Sequence, residues 1–253
     1  MTMSSNWKLV DFHCHLDLFP DHVNAFHQSK KDNIHILSVT TTPRAWRENL
    51  KLAGPNSLIR IGLGLHPQVI GERWKEITLW EELFPQARYI GEVGLDNGPG
   101  FYQHMDLQKH VFERILKRCA ESSGRILSVH SMGCSAIVLD MIEKILPLNR
   151  NRVVLHWFTG TQKEAKRAIE LGCYFSINKA MLQNQRHQKM VSTLSPERII
   201  TETDSPFTKF AGTQIWPKDV KQAVTGLSRL LKIEENEMGA LIERNLNKLE
   251  EII

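Results

Sequence analysis

Short runs of apolar and β-branched residues recur from one end of the chain to the other, separated by stretches with helical spacing. The runs are KLVDFH, IHILSVT, LIRIGLG, RYIGEVG, RILSVH, RVVLHW, CYFSI and RIITETD. Strands that alternate with helical stretches in this way are typical of βα units. The pattern therefore predicts eight βα units in succession.

The stretches between the runs carry the apolar stripe of amphipathic helices. In MDLQKHVFERILKRCAESS the apolar residues Leu107, Val111, Ile115 and Leu116 share one helical face. In TQKEAKRAIELG, Gly172 stands where a helix would stop. Two further amphipathic stretches, PKDVKQAVTGLSRLLK and EENEMGALIERNLNKLEEII, follow the last run. The apolar face of LIERNLNKLEEII is expected to pack on the barrel, with another protein as the alternative.

Eight βα units in 253 residues match the size of a TIM (β/α)8 barrel. The rival architecture is an open doubly wound sheet, which usually carries a glycine-rich phosphate loop after its first strand. Here the first run ends in histidines instead. No low-complexity linker or shift in composition marks a boundary. We therefore predict an α/β chain folded as a TIM barrel, in a single domain over residues 1–253.

The composition of the chain bears on its location and partners more than on its chemistry. The chain is 42% hydrophobic and 24% charged, contains no tract long enough to span a bilayer, and shows no signal-peptide pattern. Its four cysteines are scattered without CxxC pairing, which favours free thiols in a reducing cytoplasm. The net charge of +4 permits a polyanionic partner without requiring one. We expect a cytoplasmic protein that has no membrane partner.

Histidines and carboxylates stand where the predicted strands end. In a TIM barrel the carboxyl ends of the strands meet at one rim, where the active sites lie. Histidine with carboxylate suits zinc, manganese or a similar divalent ion. The residues concerned are His13, His15, His66, Glu92, His130, His156 and Asp204. Burying so many polar groups together without a metal would leave them unsatisfied, so their convergence predicts a metal site.

The first of these segments, VDFHCHLD, can be divided by the alternation of side chains along a strand. Asp11, His13 and His15 are expected to face the barrel interior, and Cys14 to pack against the helices. The two inward histidines can bind one ion, with Glu92 as a candidate carboxylate between that ion and a second. Asp17 lies past the strand and is compatible with either a loop cap or a supporting role.

With these residues identified, the chain resembles the TatD family of metal-dependent deoxyribonucleases from about Lys8 to Leu249. The ordered set of motifs carries the resemblance: DFHCHLD, GLHP, GEVGLD, the histidine that closes the fifth run, LHWFTG and TETDSP. Each motif is weakly specific by itself, whereas the ordered set is highly specific. The resemblance implies a barrel of the metal-dependent hydrolase type that binds Mg, Mn or Zn.

The same resemblance implies how the ligands are shared. One ion would be held by His13, His15, Glu92 and Asp204, and a second by Glu92, His130 and His156. His66 would contact the substrate phosphate or a third ion.

The chain departs from the family pattern around the expected substrate. Met132 and Gly133 stand where the family has an arginine and an acidic residue, and the Arg and Asn that follow ETDSP are missing from FTKFAGTQIWPKDV. The aromatic pair after GLD is replaced by NGPG. Lys209 and Lys179 are candidate replacements for the missing cations, although each is also compatible with an ordinary solvated lysine.

Such altered loops resemble a specialised relative, for example the TatD-like member of Qat anti-phage gene clusters. That resemblance implies antiviral defence and protein partners from the same system.

The function predicted from residues and resemblance together is hydrolysis of DNA phosphodiesters by two-metal activation of water. Asp204 and Glu92 are the candidate catalytic residues, with Asp204 taking the proton of the water. Glu202 and Asp11 are expected to support the ligands from behind. The expected partner is DNA, single-stranded or at 3′ ends.

Two alternatives stay open. A metal-dependent amidohydrolase or lactonase would act on a small molecule, but such barrels commonly bridge their metals with a modified lysine on strand four, where this chain has Glu92. A catalytically weak nucleic-acid-binding subunit would explain the missing Arg and Asn, but it has no physical reason to keep a costly buried charge cluster.

Overall fold

The structure, a computed structural model, describes residues 7–210 and 212–251. Eight parallel strands in these ranges build the framework and follow one another in chain order. They are β1 (Val10–Cys14), β2 (His35–Val39), β3 (Ile59–Gly62), β4 (Tyr89–Asp96), β5 (Ile126–Met132), β6 (Arg152–His156), β7 (Tyr174–Ile177) and β8 (Ile199–Thr201). All eight predicted strands are therefore present.

Hydrogen bonds at two seams join strands β1–β3 to strands β4–β8. Between β3 and β4, Leu63 N donates to Tyr89 O over 2.9 Å, and Gly91 N donates to Leu63 O over 3.1 Å. Beyond β8, Asp204 N donates to His13 O over 2.9 Å, so the last strand meets the first. The eight strands thus form the predicted TIM barrel, with its carboxyl-end rim where the sequence placed the polar residues.

Helices surround these strands. In the described residues they are α1 (His22–Asp32), α2 (Pro43–Ala53), α3 (Ile70–Arg73), α4 (Ile77–Leu83), α5 (Met105–Ala120), α6 (Ser135–Ile145), α7 (Gln162–Glu170), α8 (Gln185–Val191), α9 (Lys221–Leu231) and α10 (Glu235–Glu250). A short hairpin of β9 (Lys209–Phe210) and β10 (Thr213–Gln214) lies between β8 and α9. None of the helices described here combines the length and apolar character of a membrane span.

The last helix closes the outer layer next to the β8–β1 seam. Met238, Ile242, Leu246 and Leu249 recur on one face of α10 and are buried, and the helix packs against β8, β1 and α9. The amide of Asn245 donates to Ile199 O over 2.7 Å at the start of β8. The predicted packing of this amphipathic stretch on the barrel is confirmed over its described residues.

Gly94 lets β4 and β5 approach closely at the height of the polar cluster. Its φ of +136° lies in a region that side chains rarely adopt, and an added Cβ would collide with the carbonyl of His130. Gly94→Ala is therefore expected to lower the free energy of unfolding by about 2 kcal/mol or more, measured by urea denaturation.

Gly100→Ala is the matched control for this experiment, because no atom lies within 4 Å of a Cβ at that position. The control should unfold at nearly the same urea concentration as the parent protein. Equal midpoints for Gly94→Ala and the parent would show that β4 and β5 tolerate a wider spacing.

Candidate metal centre

A cavity of about 480 Å³ opens at the carboxyl ends of the strands. It is lined by six of the seven predicted rim residues, which are His15, His66, Glu92, His130, His156 and Asp204. The seventh, His13, is fully buried and contacts the same cluster, with its ring stacked on that of His156 at 3.5 Å. Residues from six separate segments thus meet at one place.

Glu92 lies at the centre of the cluster, and its two oxygens face different histidines. Oε2 lies 3.3 Å from Nε2 of both His13 and His15. Oε1 lies 2.7 Å from Nδ1 of His130 and 3.1 Å from Nε2 of His66. A carboxylate placed in this way is compatible with a bridge between two ions, and that role of Glu92 stays a prediction.

His13 has one ring nitrogen held by the protein and the other facing the carboxylates. Its Nδ1 lies 2.7 Å from the hydroxyl of Ser128, which fixes the orientation of the ring. Its Nε2 is buried without a hydrogen-bond partner, although Glu92 and Asp204 lie within 4 Å. A buried imidazole nitrogen of this kind, next to two carboxylates, fits a metal ligand.

His130 connects Glu92 to a carboxylate that sequence reasoning missed. Its Nε2 lies 2.9 Å from Asp96, which also accepts from Gln68 over 2.8 Å. Asp96 is the last residue of the GEVGLD motif, and it lies four positions after Glu92 on the same face of β4. That spacing was the sequence signal that could have identified Asp96. Ser128, which contacts His13, could have been identified in the same way, because it lies two residues before His130 on β5.

Glu202, expected from the sequence to support a ligand, contacts the ring of His156. Nδ1 of His156 lies 2.7 Å from Glu202, leaving Nε2 toward the cavity, 3.9 Å from Glu92 and 4.0 Å from Asp204. Glu202 also accepts hydrogen bonds from Ser176 and Asn178, so the carboxylate that holds the ring is itself held.

Asp204 is placed by a turn immediately after β8. Its φ of +55° is left-handed, which is uncommon for a residue with a side chain and turns its carboxylate toward His13 and His15. Asp11, beneath the cluster, accepts from the backbone and hydroxyl of Thr203 over 2.8 and 2.6 Å. Asp11 therefore supports the Asp204 segment and does not contact the cavity.

The ionisable groups of the cluster shift one another strongly. Burial by itself lowers the pKa of His156, but the charge and hydrogen bond of Glu202 raise that pKa to about 10. Burial has the same direction for His130, where hydrogen bonds to Asp96 and Glu92 raise the pKa to about 9. In both rings the neighbouring carboxylates therefore stabilise the protonated imidazole.

Asp204, Glu92 and His13 also have shifted pKa values. Burial raises the pKa of Asp204 to about 7, although the charges of His156 and His15 oppose that rise. Burial also favours protonation of Glu92, but the neighbouring imidazoles hold its pKa well below the usual range. Burial and the charge of His156 lower the pKa of His13. Anionic Glu92 and neutral His13 are the forms that bind a divalent ion.

Three overlapping sets of groups in the described residues have ligand atoms within 4.8 Å of one another. The sets are His13, His15 and Glu92; His13, His156 and Asp204; and His66, Glu92 and His130. The donor chemistry fits a divalent ion. The grouping differs in detail from the expected sharing, because His156 turns toward His13 and Asp204, and His66 joins Glu92 and His130.

Other residues considered from the sequence lie away from the cavity. Cys14 is buried with its sulfur toward the carbonyl of Leu37, as expected for a packing residue. Asp17 lies half-buried in the turn after β1, where its charge acts on His15. Lys179 donates a hydrogen bond to the side chain of Gln222 over 2.5 Å, and Lys209 is an exposed residue of strand β9. Neither lysine lines the metal cavity.

Comparisons with known proteins agree with this geometry. The model of the family described as "TatD related DNase" matches residues 10–251. An uncharacterized metal-dependent hydrolase of Methanocaldococcus jannaschii is 26% identical over 95% of this chain and 96% of its own length. Deoxyribonuclease TATDN3 of Homo sapiens is 28% identical over 78% of each chain.

A solved structure shares the fold as well. The TatD homologue YjjV of Escherichia coli K12 superposes with a TM-score of 0.83 at 21% identity, over 95% of this chain and 97% of its own. The family match extends over nearly all of the described barrel and includes every strand that supplies a residue to the cluster. The chain therefore belongs to the TatD-related DNase family and is a metal-dependent hydrolase that acts on ester bonds.

Proposed function

We infer that this protein hydrolyses phosphodiester bonds of DNA with the help of two divalent ions. The position of Glu92 supports this most directly, because its two oxygens face separate sets of imidazoles. The resemblance would give one ion to His13, His15, Glu92 and Asp204, and the other to Glu92, His130 and His156. Because His66 lies 3.1 Å from Glu92 and groups with His130, it would serve the second ion, a third ion or the phosphate. Such ions lower the pKa of water and stabilise charge on the phosphoryl oxygens.

The residues of the chain supply positioning and proton transfer. Asp204 lines the cavity, and its carboxylate accepts the proton of the attacking water. Glu202 holds the His156 ring through Nδ1, so that its Nε2 keeps one direction. Ser128 does the same for His13.

The small-molecule alternative has less support. Strand β4 runs Tyr89–Asp96 without a lysine, and its central carboxylate is Glu92. Names of relatives that act on DNA, such as the human deoxyribonuclease, point to the same substrate class. The cytoplasmic location, a role in antiviral defence and the protein partners that such a role implies stay predictions.

End-labelled single- and double-stranded DNA, incubated with Mg²⁺, Mn²⁺ or Zn²⁺, tests the proposal. Cleavage is expected with at least one ion, is expected to stop in EDTA, and should fall at least about 100-fold in His13→Ala. The exposed His110→Ala is the matched control and should cleave at the parent rate. Cleavage that persists in EDTA or in His13→Ala, or turnover confined to lactones and amides, would contradict the proposal.

A further inference from the structure

The mouth of the metal cavity is apolar where a DNA-binding surface would ordinarily be basic. Val69, Met132, Trp157 and Phe207 belong to its lining. Among the residues that line it in the described part of the chain, neither lysine nor arginine occurs. A backbone phosphate track needs such cations, so only the divalent ions and the histidines around them would hold the phosphates here.

Phe207 is the most prominent feature of this mouth. Its side chain is 61% exposed, the largest value among the exposed large hydrophobic residues of the described ranges. The ring nevertheless has a defined position, because it contacts His15 edge to face at a centroid distance of 5.1 Å. The backbone N–H of Phe207 donates to Asp204 O over 3.0 Å, which ties the turn to the candidate base.

Trp157 marks the mouth with a second aromatic ring. It follows His156 directly, and the two rings are perpendicular with their centroids 6.2 Å apart. Its φ of +39° is unfavourable for a bulky residue, and such strain persists where the surrounding structure imposes it. Met132 adds a flexible apolar side chain that is 51% exposed.

A nucleobase can stack on an exposed aromatic ring that lies beside a phosphodiester site. Every base offers a flat face for stacking, whereas a paired base inside a duplex is already stacked on its neighbours. A cavity of about 480 Å³ is in the range of small-ligand pockets, so it suits the groups next to the cleaved bond.

We propose that Phe207 selects the substrate by stacking on an unpaired base next to the cleaved phosphodiester, so that recognition depends on one or two nucleotides and not on the length of the strand. The inference rests on the proposed phosphodiesterase activity. It explains how a chain without the family's usual cations at the cavity can hold its substrate. Met132 and Trp157 form the remaining apolar contacts.

The experiment compares the dinucleotide dA-dA with two analogues in which one base or the other is replaced by an abasic residue. Binding to the Asp204→Asn protein in Mn²⁺ and kcat/KM of the parent protein are both measured. One of the two abasic analogues is expected to bind about 10-fold or more weakly and to react correspondingly more slowly. The kcat/KM of a single-stranded 20-mer should exceed that of dA-dA only modestly and depend weakly on salt.

Variants assign the effect to the ring. Phe207→Ala should abolish the preference for a base, and Phe207→Trp should keep it. Tyr102→Ala is the matched control, since Tyr102 is 59% exposed and does not line the cavity. It should retain the full preference.

The outcomes separate this inference from the proposed function. Base-selective binding that needs Phe207, without cleavage of any DNA, would support stacking and contradict the nuclease activity. Cleavage that ignores the bases, survives unchanged in Phe207→Ala, or rises steeply with strand length and falls with salt would overturn the stacking proposal while leaving the nuclease activity in place.

Discussion

Replacing Glu92 with glutamine is expected to remove at least one tightly bound divalent ion from each chain and to slow hydrolysis by more than about 100-fold. The amide has no charge and presents an NH₂ group where one carboxylate oxygen stood. Because the two oxygens of Glu92 face different imidazole sets, one of them loses its anionic ligand whichever way the amide turns. Metal content after Mn²⁺ loading and dialysis, together with kcat, measures both effects.

Glu76→Gln is the matched control for this substitution. Glu76 is also a buried carboxylate, but it pairs with Arg44 and Arg73 and does not line the cavity. Its glutamine variant should keep the parent metal content. If Glu92→Gln also kept the full content of ions, a carboxylate shared between two ions would be the wrong description of the site.

The barrel could be predicted because each part of it leaves a local signal in the sequence. Buried strands give apolar runs, their covering helices give stripes, and the barrel then requires that the strand ends meet. Separate histidines could for that reason be assigned to one rim before any distance was known. Alternation along β1 similarly separated His13 from Cys14.

Contacts that depend on the path of the backbone could not be predicted in the same way. The left-handed conformations of Trp157 and Asp204 have no sequence signal, since glycine is absent from both positions. Asp96 shares its face with Glu92, but its hydrogen bond to His130 depends on the close approach of β4 and β5 that Gly94 permits.

The sequence indicated the apolar mouth only through the absence of polar residues that the family usually has there. Met132 marked the position of a missing arginine, and the segment with Phe207 lacked the expected Arg and Asn. Which side chains replaced those cations depended on how the turns after β5 and β8 direct Met132 and Phe207 over the cavity. A departure from a motif thus indicates where specificity changes. The three-dimensional arrangement then indicates which chemical groups the changed site can bind.

Asp204→Asn is expected to lower kcat on DNA by a factor of about 10² to 10⁴, the usual contribution of general acid–base catalysis. Asparagine keeps the size of the side chain and an oxygen that can point toward His13 and His15, but it cannot accept the proton of water. KM is expected to change less than kcat, because the apolar mouth that receives the substrate is left intact. Steady-state kinetics in Mn²⁺, with metal content measured on the same samples, checks this result.

Asp106→Asn provides the control, since Asp106 is a fully exposed carboxylate on the first turn of α5. It should leave kcat unchanged. The metal measurement decides how a loss in Asp204→Asn is interpreted: a low kcat with the parent metal content supports proton transfer by Asp204, whereas a loss that follows the metal content makes it a ligand alone. Full activity in Asp204→Asn would rule out both roles and move the base to another residue of the cluster.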